Sequence, residues 1–182
     1  DTRDSSGALQ QTLSRTFDTL GRLQALTDAD NRSTSFAYDQ AGLLKTTTDA
    51  LGRQTTHDYD PLGRPTRTLQ NATDAAQSAE IALHYDALDR LTRVTDPKGL
   101  HTDYLYNGFG ELIERRSPDT GTTTSTYDAS GNAIEETDAN GKLTRYRYDA
   151  LDRLKMVDYD AAVPDEAFAY DVAMADCPAG EQ

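Results

Sequence analysis

Tyr148-Asp149-Ala150-Leu151-Asp152-Arg153-Leu154 is the stretch on which the reading of this chain turns, because the same seven residues stand at 85–91. Looser versions are Phe17-Asp18-Thr19-Leu20-Gly21-Arg22-Leu23 and Tyr59-Asp60-Pro61-Leu62-Gly63-Arg64-Pro65. Taking the aromatic as a marker gives Phe17, Tyr38, Tyr59, Tyr85, Tyr106, Tyr127, Tyr148 and Tyr170, at intervals of 21, 21, 26, 21, 21, 21 and 22 residues. A period held over so many intervals is the signature of a repeat architecture.

The residue after each marker is Asp18, Asp39, Asp60, Asp86, Asp128, Asp149 or Asp171, with Asn107 in the remaining copy. Four after the marker stands Gly21, Gly42, Gly63, Gly110 or Gly131, with Asp89 and Asp152 as replacements. Aspartate accepts hydrogen bonds from amides a few residues on, and Gly or Asp tolerates the left-handed conformation that closes a type I turn with a bulge. These are hairpin turns, and their acids are read as turn formers rather than catalysts.

A second turn falls halfway along each repeat, as in Thr48-Asp49-Ala50-Leu51-Gly52, Thr95-Asp96-Pro97-Lys98-Gly99 and Thr137-Asp138-Ala139-Asn140-Gly141. Turns therefore alternate every 10 or 11 residues, leaving segments rich in Thr and Tyr that suit strands. The marker and the residue two before it share a strand face. That earlier position carries Phe36, His57, Leu83, Tyr104, Ser125, Tyr146 and Phe168, so one face is expected to be largely aromatic and apolar. On the returning strand Leu23 and Leu26, or Leu154 and Val157, stand three apart, which requires either a bulge or a sheet packed on both sides.

The longer interval places extra residues at Asn71 to Glu80, expected as an enlarged hairpin tip. The domain reading is an incomplete half-repeat at 1–16, a repeat array at 17–171 and an unpatterned tail at 172–182. The fold class is all-β: antiparallel hairpins in a curved, spiralling sheet. Some 16 short strands exceed the width at which open sheets usually stay flat, so the sheet is expected to coil, and the unpaired edges point to a segment of something larger.

Composition narrows the function. With 36% hydrophobic residues, no tryptophan and a mean hydropathy of -0.73, a conventional core would be thin. A formal charge of -13, with 18 basic residues scattered among 31 acids, argues against a nucleic-acid groove. No apolar run reaches the roughly 18 residues of a membrane span. One cysteine, Cys177, excludes an internal disulfide framework. His57, His84 and His101 share no metal-ligand spacing, and Asp28-Ala29-Asp30-Asn31 and Asp138-Ala139-Asn140-Gly141 lack the distal Glu of a calcium loop. No catalytic, cofactor-binding or metal residue is assigned, and no cofactor is expected.

Tyr-Asp-x-x-Gly-Arg-Leu followed by Thr-Asp-x-x-Gly at a 21-residue period resembles the RHS or YD-repeat family, over roughly Asp4 to Asp171. The resemblance implies a hairpin strip that spirals into a hollow shell. It further implies a large secreted or bacterial cell-surface protein, such as a polymorphic toxin of interbacterial competition or a toxin-complex component. The expected partners are the remainder of the same polypeptide and a C-terminal toxin cargo, with secretion machinery and cell-surface glycans as further candidates. Asp60-Pro61-Leu62-Gly63 and Asp96-Pro97-Lys98-Gly99 look like pieces of the family's autoprotease, but both fit ordinary turns. The expected function is a non-enzymatic shell segment; the alternatives are a carbohydrate-binding or adhesion module, which would stack sugars on exposed tyrosines, and a hydrolase.

Overall fold

The computed structural model describes residues 2–3, 9–10, 13–159 and 166–170. The tail expected at 172–182, with Cys177, and the last turn acid, Asp171, lie outside the described residues, as do residues 1, 4–8, 11 and 12 of the half-repeat expected at 1–16.

All described elements are strands. β1 (Thr2–Arg3) and β2 (Leu9–Gln10) form a short antiparallel pair. The others are β3 (Leu13–Phe17), β4 (Leu23–Asp28), β5 (Ser33–Tyr38), β6 (Leu44–Thr48), β7 (Gln54–Tyr59), β8 (Pro65–Gln70), β9 (Ala79–Tyr85) and β10 (Leu91–Thr95). Then come β11 (His101–Tyr106), β12 (Leu112–Ser117), β13 (Gly121–Tyr127), β14 (Ala133–Thr137), β15 (Leu143–Tyr148), β16 (Leu154–Asp158) and β17 (Glu166–Ala167). Every marker but Tyr170 ends a strand, and the acid behind it opens the turn, as the repeat predicts.

Two compact units divide these residues, one of Asp1–His84 with Val94–Leu100 and one of Tyr85–Arg93 with His101–Gln182. In the first, β3 to β9 pair antiparallel, each with the next. In the second, β11 to β17 do the same.

The spacing of three between apolar residues resolves as a bulge. Thr16 lies opposite Ala25 but Phe17 opposite Leu23, so Gln24 is the extra residue. Leu26 faces Arg15, two before Phe17, and Leu23 and Leu26 therefore share the marker's face despite their spacing. The same shift recurs at Tyr38, Tyr59, Tyr106, Tyr127 and Tyr148. At Tyr148 it aligns Leu154 and Val157, the latter the one described apolar residue that is fully buried, at 4% exposure.

In β5 and β13 the marker face is the better covered one. Along β5 the exposed residues Ser33, Ser35 and Ala37 alternate with half-buried Thr34, Phe36 and Tyr38. β13 shows the same alternation, with Ser125 and Tyr127 half-buried. The opposite face carries cross-strand ion pairs: in the first unit Asp58 on β7 joins Lys45 on β6 to Arg67 on β8, and Arg67 reaches Glu80 on β9 at 2.7 Å. In the second, Arg93 holds Asp103 at 2.5 Å and Arg145 holds Glu135 at 3.1 Å.

The enlarged tip at Asn71 to Ser78 has its own scaffold. The Asp74 amide donates to the Asn71 carbonyl, the Gln77 amide to that of Asp74, and Asn71 Nδ2 to the Gln77 carbonyl at 3.1 Å.

Candidate functional site

The chemistry of the chain sits in a joint built at each marker turn. At Asp149, Oδ1 accepts the backbone N–H groups of Leu151 and Arg153, at 2.8 and 3.0 Å, and Oδ2 accepts Arg153 Nε at 2.7 Å. Asp18, Asp60 and Asp86 repeat all three bonds with Leu20 and Arg22, Leu62 and Arg64, and Leu88 and Arg90. Gly21, Gly42, Gly63, Gly110 and Gly131 take positive φ, and so do Asp89 and Asp152, which replace glycine at the bulge position.

A second shared device links one hairpin to the next. The marker hydroxyl donates to the carbonyl of the residue that opens the previous returning strand: Tyr38 to Leu23, Tyr59 to Leu44, Tyr106 to Leu91, Tyr127 to Leu112, Tyr148 to Ala133 and Tyr170 to Leu154, all at 2.8–2.9 Å. The Arg of the preceding turn then lies over the same ring, Arg22 over Tyr38 at 4.4 Å, Arg90 over Tyr106 at 4.9 Å and Arg153 over Tyr170 at 4.5 Å. One guanidinium thus closes its own turn and covers the tyrosine of the next hairpin.

This arginine is the functional residue that sequence reasoning left without a role. Its signal is the fixed offset of five from the marker in Arg22, Arg64, Arg90 and Arg153. Where it is missing, substitutes appear. Asn132 Nδ2 bonds Asp128 Oδ2 at 3.2 Å and reaches Asp152 of the following turn at 2.9 Å. Asn107 and Glu111 reverse the roles, the amide donating to the carboxylate at 2.5 Å. Asp39 keeps the Leu43 amide at 2.9 Å.

The intervening turns use the same cap. Asp28 and Asp49 each accept two backbone amides and an arginine Nε, from Arg32 and Arg53. Asp96 and Asp138 each accept two backbone amides in the same way. Both sequences weighed as calcium loops, at Asp28 and Asp138, therefore spend their leading carboxylate on their own backbone.

Titration follows from these contacts. The N–H of the residue four on is the largest influence on Asp18, Asp28, Asp86, Asp128, Asp138 and Asp149, and holds each carboxyl below its ordinary value against desolvation. Asp49 and Asp60 are also lowered; desolvation is their largest single influence, outweighed by the amides and the arginine together. Desolvation raises the hydroxyls of Tyr106 and Tyr148.

The histidines are not brought together. His57 Nδ1 lies 3.2 Å from Thr68 Oγ1, and His101 is an exposed residue at the start of β11. Among the described residues no group of three or more His, Cys, Asp or Glu is arranged to hold a metal ion. The first unit has an open hollow of about 400 Å³ lined by Asp28, Arg32, Asp49, Leu51 and Arg53, among others. Both of its carboxylates are already engaged by the arginines that line it.

The chain is similar to known proteins at two levels, family and fold. A family model described as teneurin YD-shell matches residues 5–171. No curated relative matches in sequence. Among solved structures, the Photorhabdus luminescens Tc holotoxin pore, in a TccC3 mutant form, aligns at a TM-score of 0.64 and 20% identity over 80% of this chain. The TcdB2-TccC3-Cdc42 crystal structure aligns at 0.62 and 19% over 78%, and TcdB2-TccC3 without its hypervariable C-terminal region at 0.61 and 20% over 78%. In each case the alignment spans 9% of the other chain. At this identity the likeness is one of fold.

Proposed function

Because the chain belongs to the teneurin YD-shell family, we propose that it is a stretch of wall in a much longer secreted polypeptide, curving with its neighbours to enclose or present a toxin or effector. Its role is mechanical, not catalytic. The observation that carries this reading is the use of the tyrosines: six marker hydroxyls are bonded to the hairpin before them, and Tyr38, Tyr59, Tyr106, Tyr127 and Tyr148 are half-buried. Rings held in this way join hairpins, and among the described markers only Phe17 and Tyr170 are exposed, too far apart in the repeat order to stack one sugar chain. Competition between bacteria supplies the setting, and the secretion machinery and the rest of the polypeptide supply the partners.

The test uses the full-length polypeptide and limited proteolysis. The segment walled off by the repeats is expected to resist protease in the wild type and to be cut rapidly when R90A and R153A loosen two joints. Equal cleavage in both proteins overturns enclosure. A glycan array probed with the same protein tests the adhesion alternative, and saturable binding abolished by changes at the marker tyrosines would replace this reading.

A further inference from the structure

Asn107 stands where the other copies carry aspartate, and it is followed by glycine. Its Oδ1 accepts the backbone N–H of Phe109 at 2.9 Å and of Glu111 at 3.1 Å, while Nδ2 donates to Glu111 Oε2 at 2.5 Å. Gly108 comes second in the turn, a position whose amide the turn does not use; the turn's own bond runs from the Gly110 amide to the Asn107 carbonyl. A Cβ placed on Gly108 would meet nothing within 4 Å, so the space beside this amide is open.

The chain holds one other Asn-Gly pair, Asn140-Gly141, and its setting is the opposite. There the glycine closes the turn, donating its N–H to the Asp138 carbonyl at 3.0 Å with φ at +77°. The nitrogen that would attack Asn140 is already committed.

We propose that Asn107 is a site of spontaneous deamidation through a succinimide formed with Gly108, and that folding protects Asn140 from the same reaction. The Gly108 nitrogen attacks Asn107 Cγ, and an N–Cγ bond forms in a five-membered ring. The Cγ–Nδ2 bond then breaks, and ammonia leaves with the proton given up by the Gly108 amide. Water opens the ring at either carbonyl, to aspartate or isoaspartate, and nothing is oxidised or reduced. In the tetrahedral adduct the charge develops on Oδ1, where the Phe109 and Glu111 amides already point. The Glu111 carboxylate holds the departing nitrogen in place.

The product differs from a repeat built with aspartate. Asp18, Asp60, Asp86 and Asp149 have an arginine four residues on, whereas a carboxylate at 107 would face Glu111. Arg90 Nη1 bonds the Asn107 carbonyl at 3.1 Å and its guanidinium covers Tyr106, so opening this turn loosens the joint between two hairpins.

Mass spectrometry of the full-length polypeptide, incubated at mildly alkaline pH and then digested, reads the reaction directly. Aspartate plus isoaspartate is expected to accumulate about tenfold faster at 107 than at 140 in the folded chain, a barrier difference of about 1.4 kcal/mol. In denaturant the two rates should converge, because the contacts that separate them are gone. Equal rates in the folded chain, or faster reaction at Asn140, overturn the proposal. N107D should melt below wild type, and adding E111R should recover the loss; a melt unchanged by N107D removes the consequence drawn for the joint.

Discussion

At the scale of single residues, the carboxylate and the hydroxyl do separable work. Asp149 organises a turn from within, so D149A should lower the melting temperature more than D149N, which keeps an oxygen for the Leu151 and Arg153 amides and loses only the charge facing the guanidinium. Thermal denaturation followed by circular dichroism ranks the two, and equal losses would assign the turn to the ion pair that both variants lack. Tyr148 acts between hairpins. Y148F keeps the ring and removes the donor to the Ala133 carbonyl, at a cost of about 1 kcal/mol in a urea titration. A loss several times larger would mean that the hydroxyl carries more than one bond.

Among the elements, the tip before β13 is the most constrained. Gly121 has φ +72°, and a Cβ there would sit 2.4 Å from Ala139 Cβ on the next turn of the same edge. G121A should therefore destabilise on the order of 2 kcal/mol, from backbone strain and overlap together. G141A, at φ +77° with open space around it, should show the strain alone and cost less. Equal losses in equilibrium unfolding would remove the packing component.

How far this was legible in the sequence follows from where each interaction closes. Turns close within five residues, so the acids, the left-handed glycines and their Asp89 and Asp152 substitutes could be read directly. The spacing of Leu23 and Leu26 left open a bulge or a sheet packed on both sides; only pairing with Phe17 and Arg15 selects the bulge. Arg22 and Arg153 escaped assignment because their second contact, with Tyr38 and Tyr170, lies a repeat further on and depends on how hairpins stack. The reversal at Asn107 and Glu111 could be seen as two odd residues, but not as a matched pair.

For the molecule as a whole, the many capped turns add up in acid. Asp18, Asp28, Asp49, Asp60, Asp86, Asp128, Asp138 and Asp149 all titrate below their ordinary value when folded. A lowered folded value means that the carboxylates stabilise the fold above the unfolded value and lose that contribution as pH falls through the folded one. Ellipticity should thus hold steady through neutral pH and fall away below about pH 4, near the unfolded carboxylate value. A transition centred near neutrality would overturn this account.

The hydroxyl that reaches back to the preceding hairpin also gives the chain a grain. Stability in such an array is a sum over neighbours, and at Tyr127 and Tyr148 the ring and its hydroxyl bond add to the strand ladder that joins one hairpin to the next. Pulled from its ends, the chain should not rupture at once but shed hairpins in turn. Each 21-residue repeat released would add about 70 Å of contour at roughly 3.4 Å per residue, so a force-extension trace should read as a ladder of equal rungs, with one longer rung of 26 residues where the tip at Asn71 is enlarged.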